Sequence, residues 1–175
     1  GYPRNDILVN PPEGLSDSVR KQLGIPDGTK VLLYAPTFRT SSSGSKLNAA
    51  LSLERVRAVL EKATGERWLC LTRSHELNLG VRSDAAMDVT GWRDVSALLT
   101  ACDMVITDYS SIGGDFMLLG RPVVYYQPDA ADYHRERDFY FDVEKSPLIV
   151  THTEEELLDT LSRPIDGAAN FRECL

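Results

Sequence analysis

Six short runs rich in aliphatic and β-branched residues recur along the chain: "KVLLYA" (30–35), "RWLCLT" (67–72), "AMDVT" (86–90), "DMVITD" (103–108), "PVVYY" (122–126) and "PLIV" (147–150). Runs of this length between turn signals read as strands buried on both faces. Helical patterns separate them, and parallel neighbours need such crossover connections. The expected architecture is therefore α/β: an open, Rossmann-like parallel sheet with helices on both faces, formed by residues 1–175 as a single domain.

The helical stretches carry their own start and stop signals. The first spans 16–24, with Ser16 as the expected N-cap and Gly24 as the stop. The second spans 48–65 and ends at Gly65. A third starts from Asp94, and a fourth runs from Ser110–Ser111 to Gly120. The last begins at Thr153, with Glu156 three residues on, the spacing of a capping box. The Ser/Gly-rich stretch 39–48 reads as a polar loop.

Composition excludes several functions. Hydrophobic residues make up 42% of the chain, enough for a packed core. Nineteen basic against 26 acidic residues leave a net charge of −7, a poor field for a nucleic-acid partner. A phosphate site must then be a local gathering of donors and cations. No apolar run approaches the roughly 20 residues that span a bilayer. The chain opens on "GYPRNDIL" without an initiator Met and reads as an excerpt of a longer protein. Cys70, Cys102 and Cys174 are too widely spaced for a disulfide framework or zinc knuckle, and the first two read as core residues of a reducing compartment. No Walker loop, GxSxG elbow, HExxH or EF-hand pattern occurs, and no metal or cofactor is expected.

In open α/β sheets, ligands sit beyond the carboxyl ends of the strands. The segments there carry the polar residues. "ITDYSSIGGDF" (106–116) places Asp108 at a strand end and Ser110 and Ser111 at a helix start, where free N–H groups and two hydroxyls suit a phosphate or diphosphate. The plain alternative is an N-cap. Gly113 and Gly114 would let a ligand or a neighbouring backbone approach, at a cost in helix propensity that a purely structural turn would not need. Asp115, one turn on, suits a ribose hydroxyl. "TRSHEL" (72–77) brings Arg73 and His75 to the same rim, and "APTFR" (35–39) brings Thr37 and Arg39. In "GWRDVSALL" (91–99), Trp92 either stacks on a base or packs on the core. In "DYHRERDFYFD" (132–142), His134, Arg135 and Arg137 read as a solvated loop before a ligand clamp.

Taken in order, "GYPRND", "LLYAPTFR", "LTRSHE", "DVSALLTACDMVITDYSSIGGDFMLLGRPVVYY" and "RDFYFD" resemble the CDP-glycerol glycerophosphotransferase family of teichoic acid polymerases, over nearly the whole chain. The resemblance implies one half of a GT-B fold, the C-terminal donor-nucleotide-binding domain, with an N-terminal domain missing. It implies a CDP-glycerol or CDP-ribitol donor, a lipid-linked polymer acceptor and release of CMP. The intact enzyme would be cytoplasmic and peripheral on the inner face of the plasma membrane. By motif, Arg39, His75, Ser110 and Ser111 would hold the diphosphate, with Arg73 beside them and His75 as the catalytic residue. The segment from Trp92 through Asp94 and Val95 to Leu98 would flank the cytidine. Thr37, Asp108 and Asp115 would serve the nucleotide or alditol. The sequence departs from the family at Gly113–Gly114, where bulkier residues are common, and at "RSHE", where "HP" is more usual. The family's presumed general base belongs to the other half, so this chain alone is expected to bind donor without turnover. The competing expectations are the donor half of a nucleotide-sugar GT-B glycosyltransferase and a non-catalytic nucleotide-binding domain.

Overall fold

The computed structural model describes residues 5–37, 51–73, 86–130 and 147–173. Its centre is a six-stranded sheet in the order β3-β2-β1-β4-β5-β6, every neighbouring pair parallel. The strands are β1 (Thr29–Ala35), β2 (Arg67–Thr72), β3 (Ala86–Asp88), β4 (Met104–Thr107), β5 (Val123–Tyr126) and β6 (Val150–Thr151). Each expected run supplies one of them.

Side chains alternate across the sheet because strand residues point to opposite faces in turn. Val31, Leu33, Val105, Val123 and Tyr125 belong to one core; Leu32, Met104, Ile106, Val124 and Tyr126 belong to the other. Helices α2 (Leu15–Gln22), α4 (Val95–Thr100) and α5 (Ile112–Met117) cover the first face through Val19, Leu98 and Phe116. Helices α3 (Leu53–Thr64) and α6 (Glu154–Leu161) cover the second through Val56, Leu60, Leu157 and Leu161. Two short helices, α1 (Asp6–Val9) and α7 (Gly167–Glu173), complete the described residues and were not expected from the pattern.

Helix ends follow their signals with two corrections. Gly24, Gly65 and Gly120 all hold positive φ, the left-handed conformation that ends a helix at least cost in glycine. Helix α2, however, starts after Gly14, and Ser16 lies inside it, so Ser16 is not the cap. Helix α3 begins at Leu53, capped by the Ser52 hydroxyl accepting from the Arg55 N–H, not at residue 48. Asp94 caps α4 by accepting from Ala97 N–H at 2.9 Å. Thr153 and Glu156 form both halves of the capping box on α6.

The amino ends of the central strands are closed by charge pairing. Arg20 donates to the Asp103 carboxylate at 2.6 Å and to the carbonyls of Thr29 and Ala101, while Asp103 also accepts from the Val31 N–H. Cys70 and Cys102 are wholly buried, as expected; burial pushes their thiols up to about 11 and about 12. They are protonated packing groups at neutral pH. The stretch 39–48, the segment 132–142 and Cys174 lie outside the described residues.

Candidate functional site

The strand order reverses at β1: the chain moves outward to β2 and β3, then returns to place β4 on β1's other side. The crevice beyond the carboxyl ends of β1 and β4 is therefore the topological switch point, where such sheets take their ligands. Asp108, the residue after β4, clasps it. Its carboxylate accepts from the Thr37 N–H at 2.8 Å, the Thr37 hydroxyl at 2.9 Å and the Tyr109 N–H at 2.6 Å. Its carbonyl accepts from Gln127 Nε2 at 3.0 Å. Asp108 is 5% exposed, so it is a buried fastener between the two strand ends, with Thr37 half-buried above it.

Helix α5 starts on this rim. Ser111 occupies its N-cap position, is exposed, and makes no capping hydrogen bond with its side chain. The Ser110 hydroxyl accepts from the Ile112 N–H at 3.3 Å, a long contact. With six residues, α5 aligns few peptide dipoles, so hydroxyls and individual N–H groups outweigh any macrodipole here. The two glycines divide. A Cβ on Gly113 would lie 2.4 Å from the Tyr125 hydroxyl and 2.7 Å from its ring, so Gly113 is needed for helix-to-sheet packing. That corrects the expectation that a structural turn gains nothing from it. Gly114 is exposed with open space where a Cβ would go.

Arg73 reaches the same rim. Its Nη1 donates to the carbonyls of Val89, Thr90 and Trp92 at 2.8–3.1 Å, tying the end of β2 to the turn before α4. A three-carbonyl anchor is a structural task different from the phosphate contact expected of it. Trp92 and Val95 pack partly buried against the first core, and Asp94 is exposed as the α4 cap. Leu98 is 0% exposed in that core, so it packs and lines no open surface. Arg39 and His75 lie outside the described residues.

Sequence reasoning passed over three residues on this side of the sheet. Gln127, 2% exposed, joins Asp108 to the next strand end: its carbonyl lies 3.1 Å from His152 Nδ1, which carries the proton in that contact. Gln127 and His152 are each among the first polar residues beyond an apolar strand, the signal that singled out Asp108. Asn5 donates from Nδ2 to the Asp115 carboxylate at 2.8 Å across 110 residues, and no local pattern announces that bond. Among the described residues no group of three or more His, Cys, Asp or Glu would hold a metal ion. No helix among them is long and apolar enough to cross a membrane.

Sheet order and switch point define a Rossmann-like unit, and its solved neighbours make it one half of a GT-B fold. A glycosyltransferase of lipopolysaccharide biosynthesis, WaaG, shares that fold with a TM-score of 0.51 at 19% identity, over 99% of this chain and 48% of its own. Far closer is the wall teichoic acid polymerase TagF, at a TM-score of 0.77 and 29% identity over 99% of this chain and 44% of that one. Its H444N variant soaked with CDPG gives 0.73 at 30% identity. The teichoic acid poly(glycerol phosphate) polymerase of Bacillus subtilis (strain 168) is 34% identical over 171 residues, covering 93% of this chain and 23% of that protein. The profile of the family described as CDP-Glycerol:Poly(glycerophosphate) glycerophosphotransferase matches residues 1–171, and the chain belongs to that family. It spans less than half the length of these relatives.

Proposed function

We propose that this chain is the donor-binding half of a transferase that moves alditol phosphate from a CDP-alditol, CDP-glycerol or CDP-ribitol, to a hydroxyl of a growing teichoic acid-like polymer. The acceptor oxygen bonds to the phosphorus that carries the alditol. The bond from that phosphorus to the bridging oxygen breaks, and CMP leaves with the electron pair. The acceptor proton passes to a base supplied from outside this chain. Reactions of this kind depend on positioning and on stabilising oxyanion charge. Ser110, Ser111, Arg39 and His75 hold the diphosphate, with Arg73 bracing the rim. His75 stabilises or protonates the departing CMP. Trp92, Asp94 and Val95 flank the cytidine, and Asp115 meets hydroxyls of the ribose or alditol. Thr37 and Asp108 keep the two strand ends in register beneath them. The acceptor is lipid-linked and the intact enzyme works at the inner membrane surface, with the chain alone binding donor without turnover.

The observation that carries this reading is the family match across residues 1–171 on a sheet whose switch point gathers Thr37, Asp108, Ser110 and Ser111. Calorimetric titration with CDP-glycerol, CDP-ribitol, CDP and UDP-sugars tests it. Binding of a CDP-alditol, with UDP-sugars at least about tenfold weaker, is the expected result, a difference near 1.4 kcal/mol. Preference for a UDP-sugar would overturn it. In the full-length protein, His75→Ala is expected to abolish polymer formation; undiminished synthesis would make this a non-catalytic domain.

A further inference from the structure

Asn5 occupies the N-cap position of α1, yet its side chain caps nothing in that helix. An asparagine there ordinarily accepts from the second or third helical N–H and stabilises the helix. Here the carboxamide turns away and Nδ2 donates to the Asp115 carboxylate on α5 at 2.8 Å. Its Oδ1 is left buried without a hydrogen-bond partner, one of only two such side-chain atoms among the described residues. Exchanging the two amide atoms would set Oδ1 against a carboxylate oxygen, so the orientation follows from the contact itself. The residue thus gives up a cap and leaves an acceptor unsatisfied, both unfavourable for folding. What it gains is a charge-assisted bond that fixes the Asp115 carboxylate. Local rules broken in this way concentrate at functional sites.

We infer that Asn5 is a positioning residue, holding the Asp115 carboxylate in the orientation that receives a hydroxyl of the bound donor. The inference rests on the CDP-alditol reading of the site. The hydroxyl comes from the alditol or the ribose, and both offer the same chemistry to a carboxylate. Asn5 acts through Asp115 and touches no reacting atom.

The test uses full-length protein in four forms: wild type, Asn5→Ala, Asp115→Ala and the double variant, titrated with CDP-glycerol and with CDP. Asn5→Ala is expected to bind CDP-glycerol about five- to tenfold more weakly, the loss of about one hydrogen bond. Its melting temperature should stay within about 2 °C of wild type, because removing the orphaned Oδ1 offsets the lost bond. The double variant should bind no more weakly than Asp115→Ala alone, since a residue acting through another adds nothing once that partner is gone. An unchanged CDP affinity assigns the hydroxyl to the alditol, and an equal loss assigns it to the ribose. Asn5→Asp keeps the shape but replaces the donor with carboxylate oxygens, and should lose more than Asn5→Ala. Wild-type affinity in Asn5→Ala, additive losses in the double variant, or a melting temperature lower by more than about 5 °C would each overturn the inference alone. Wild type that binds neither ligand would overturn the donor reading and this inference with it.

Discussion

Two helices start on the same edge of the sheet, α5 after β4 and α6 after β6, and they start in opposite ways. At α6 the Thr153 hydroxyl accepts from the Glu156 N–H at 3.2 Å, and Glu156 Oε2 accepts from the His152 and Thr153 N–H groups at 2.8 and 3.2 Å. That end serves its own helix. At α5 the exposed Ser111 caps nothing, and the one side-chain contact is the long bond to Ser110. Beneath it lies the tight Asp108 clasp, and beside it Asp115 is gripped from Asn5. The α5 start thus leaves the Ser111 hydroxyl outside its own cap, while Ile112 N–H bonds to the Ser110 hydroxyl and Asp115 N–H to the Ser111 carbonyl. The α6 start instead closes both halves of its capping box.

The comparison breaks most visibly if Asp108 is removed. Asp108→Ala deletes the acceptors of Thr37 and Tyr109 at a site 5% exposed, and should cost about 2–4 kcal/mol in urea unfolding, with donor binding lost as well. Stability held within about 0.5 kcal/mol would show that the clasp is ornamental.

Within α5 the two glycines should answer with opposite signs. Gly113→Ala drives a methyl into Tyr125 and should destabilise by about 1–3 kcal/mol. Gly114→Ala meets open space and should stabilise by up to about 1 kcal/mol through helix propensity. Thermal melts of both variants separate packing from permissiveness.

The two helix starts are then compared directly. Thr153→Ala should cost about 1 kcal/mol with donor affinity unchanged. Ser111→Ala should change stability by less than about 0.5 kcal/mol yet weaken CDP-alditol binding about tenfold. If both variants moved stability alone, the α5 start would be another ordinary helix end.

The smallest effect concerns acid. Backbone N–H bonds from His152, then Thr153, hold the Glu156 carboxyl below its ordinary value of 4.5. A folded-state value below the unfolded one gives stability that is present above 4.5 and is lost as pH falls through the depressed value. Glu156→Gln, neutral at every pH, should therefore lower the neutral plateau slightly and flatten the acid limb of a stability-against-pH profile. An unaltered acid limb would show that the box does not discriminate between charge states.

Much of the fold was legible because its causes are local. All six strands were marked by short apolar runs, and the Thr153–Glu156 box by residues three apart. Helix starts were less legible: Gly14 and Ser52 begin α2 and α3 where Ser16 and residue 48 were expected, because several polar residues near a helix start can serve as its boundary. The placement of Asp108, Ser110, Ser111 and Asp115 at the strand-to-helix turn beyond β4 was legible, because they follow an apolar strand into a helix; the Asp108 bond to Thr37 was not. Leu98, in the same neighbourhood by sequence, belongs to the core, since position along a helix does not say which face it turns inward.

The sequence by itself determined the alternation of strand and helix, the burial of both sheet faces and the family, because each is written in spacings a few residues long or in ordered motifs. Only the tertiary structure decided that Gly113 makes room for Tyr125, that Asp108 fastens Thr37, and that Asn5 forgoes its own helix for Asp115. Those contacts join residues 12, 71 and 110 positions apart, and no local periodicity encodes which distant surfaces close packing will bring together.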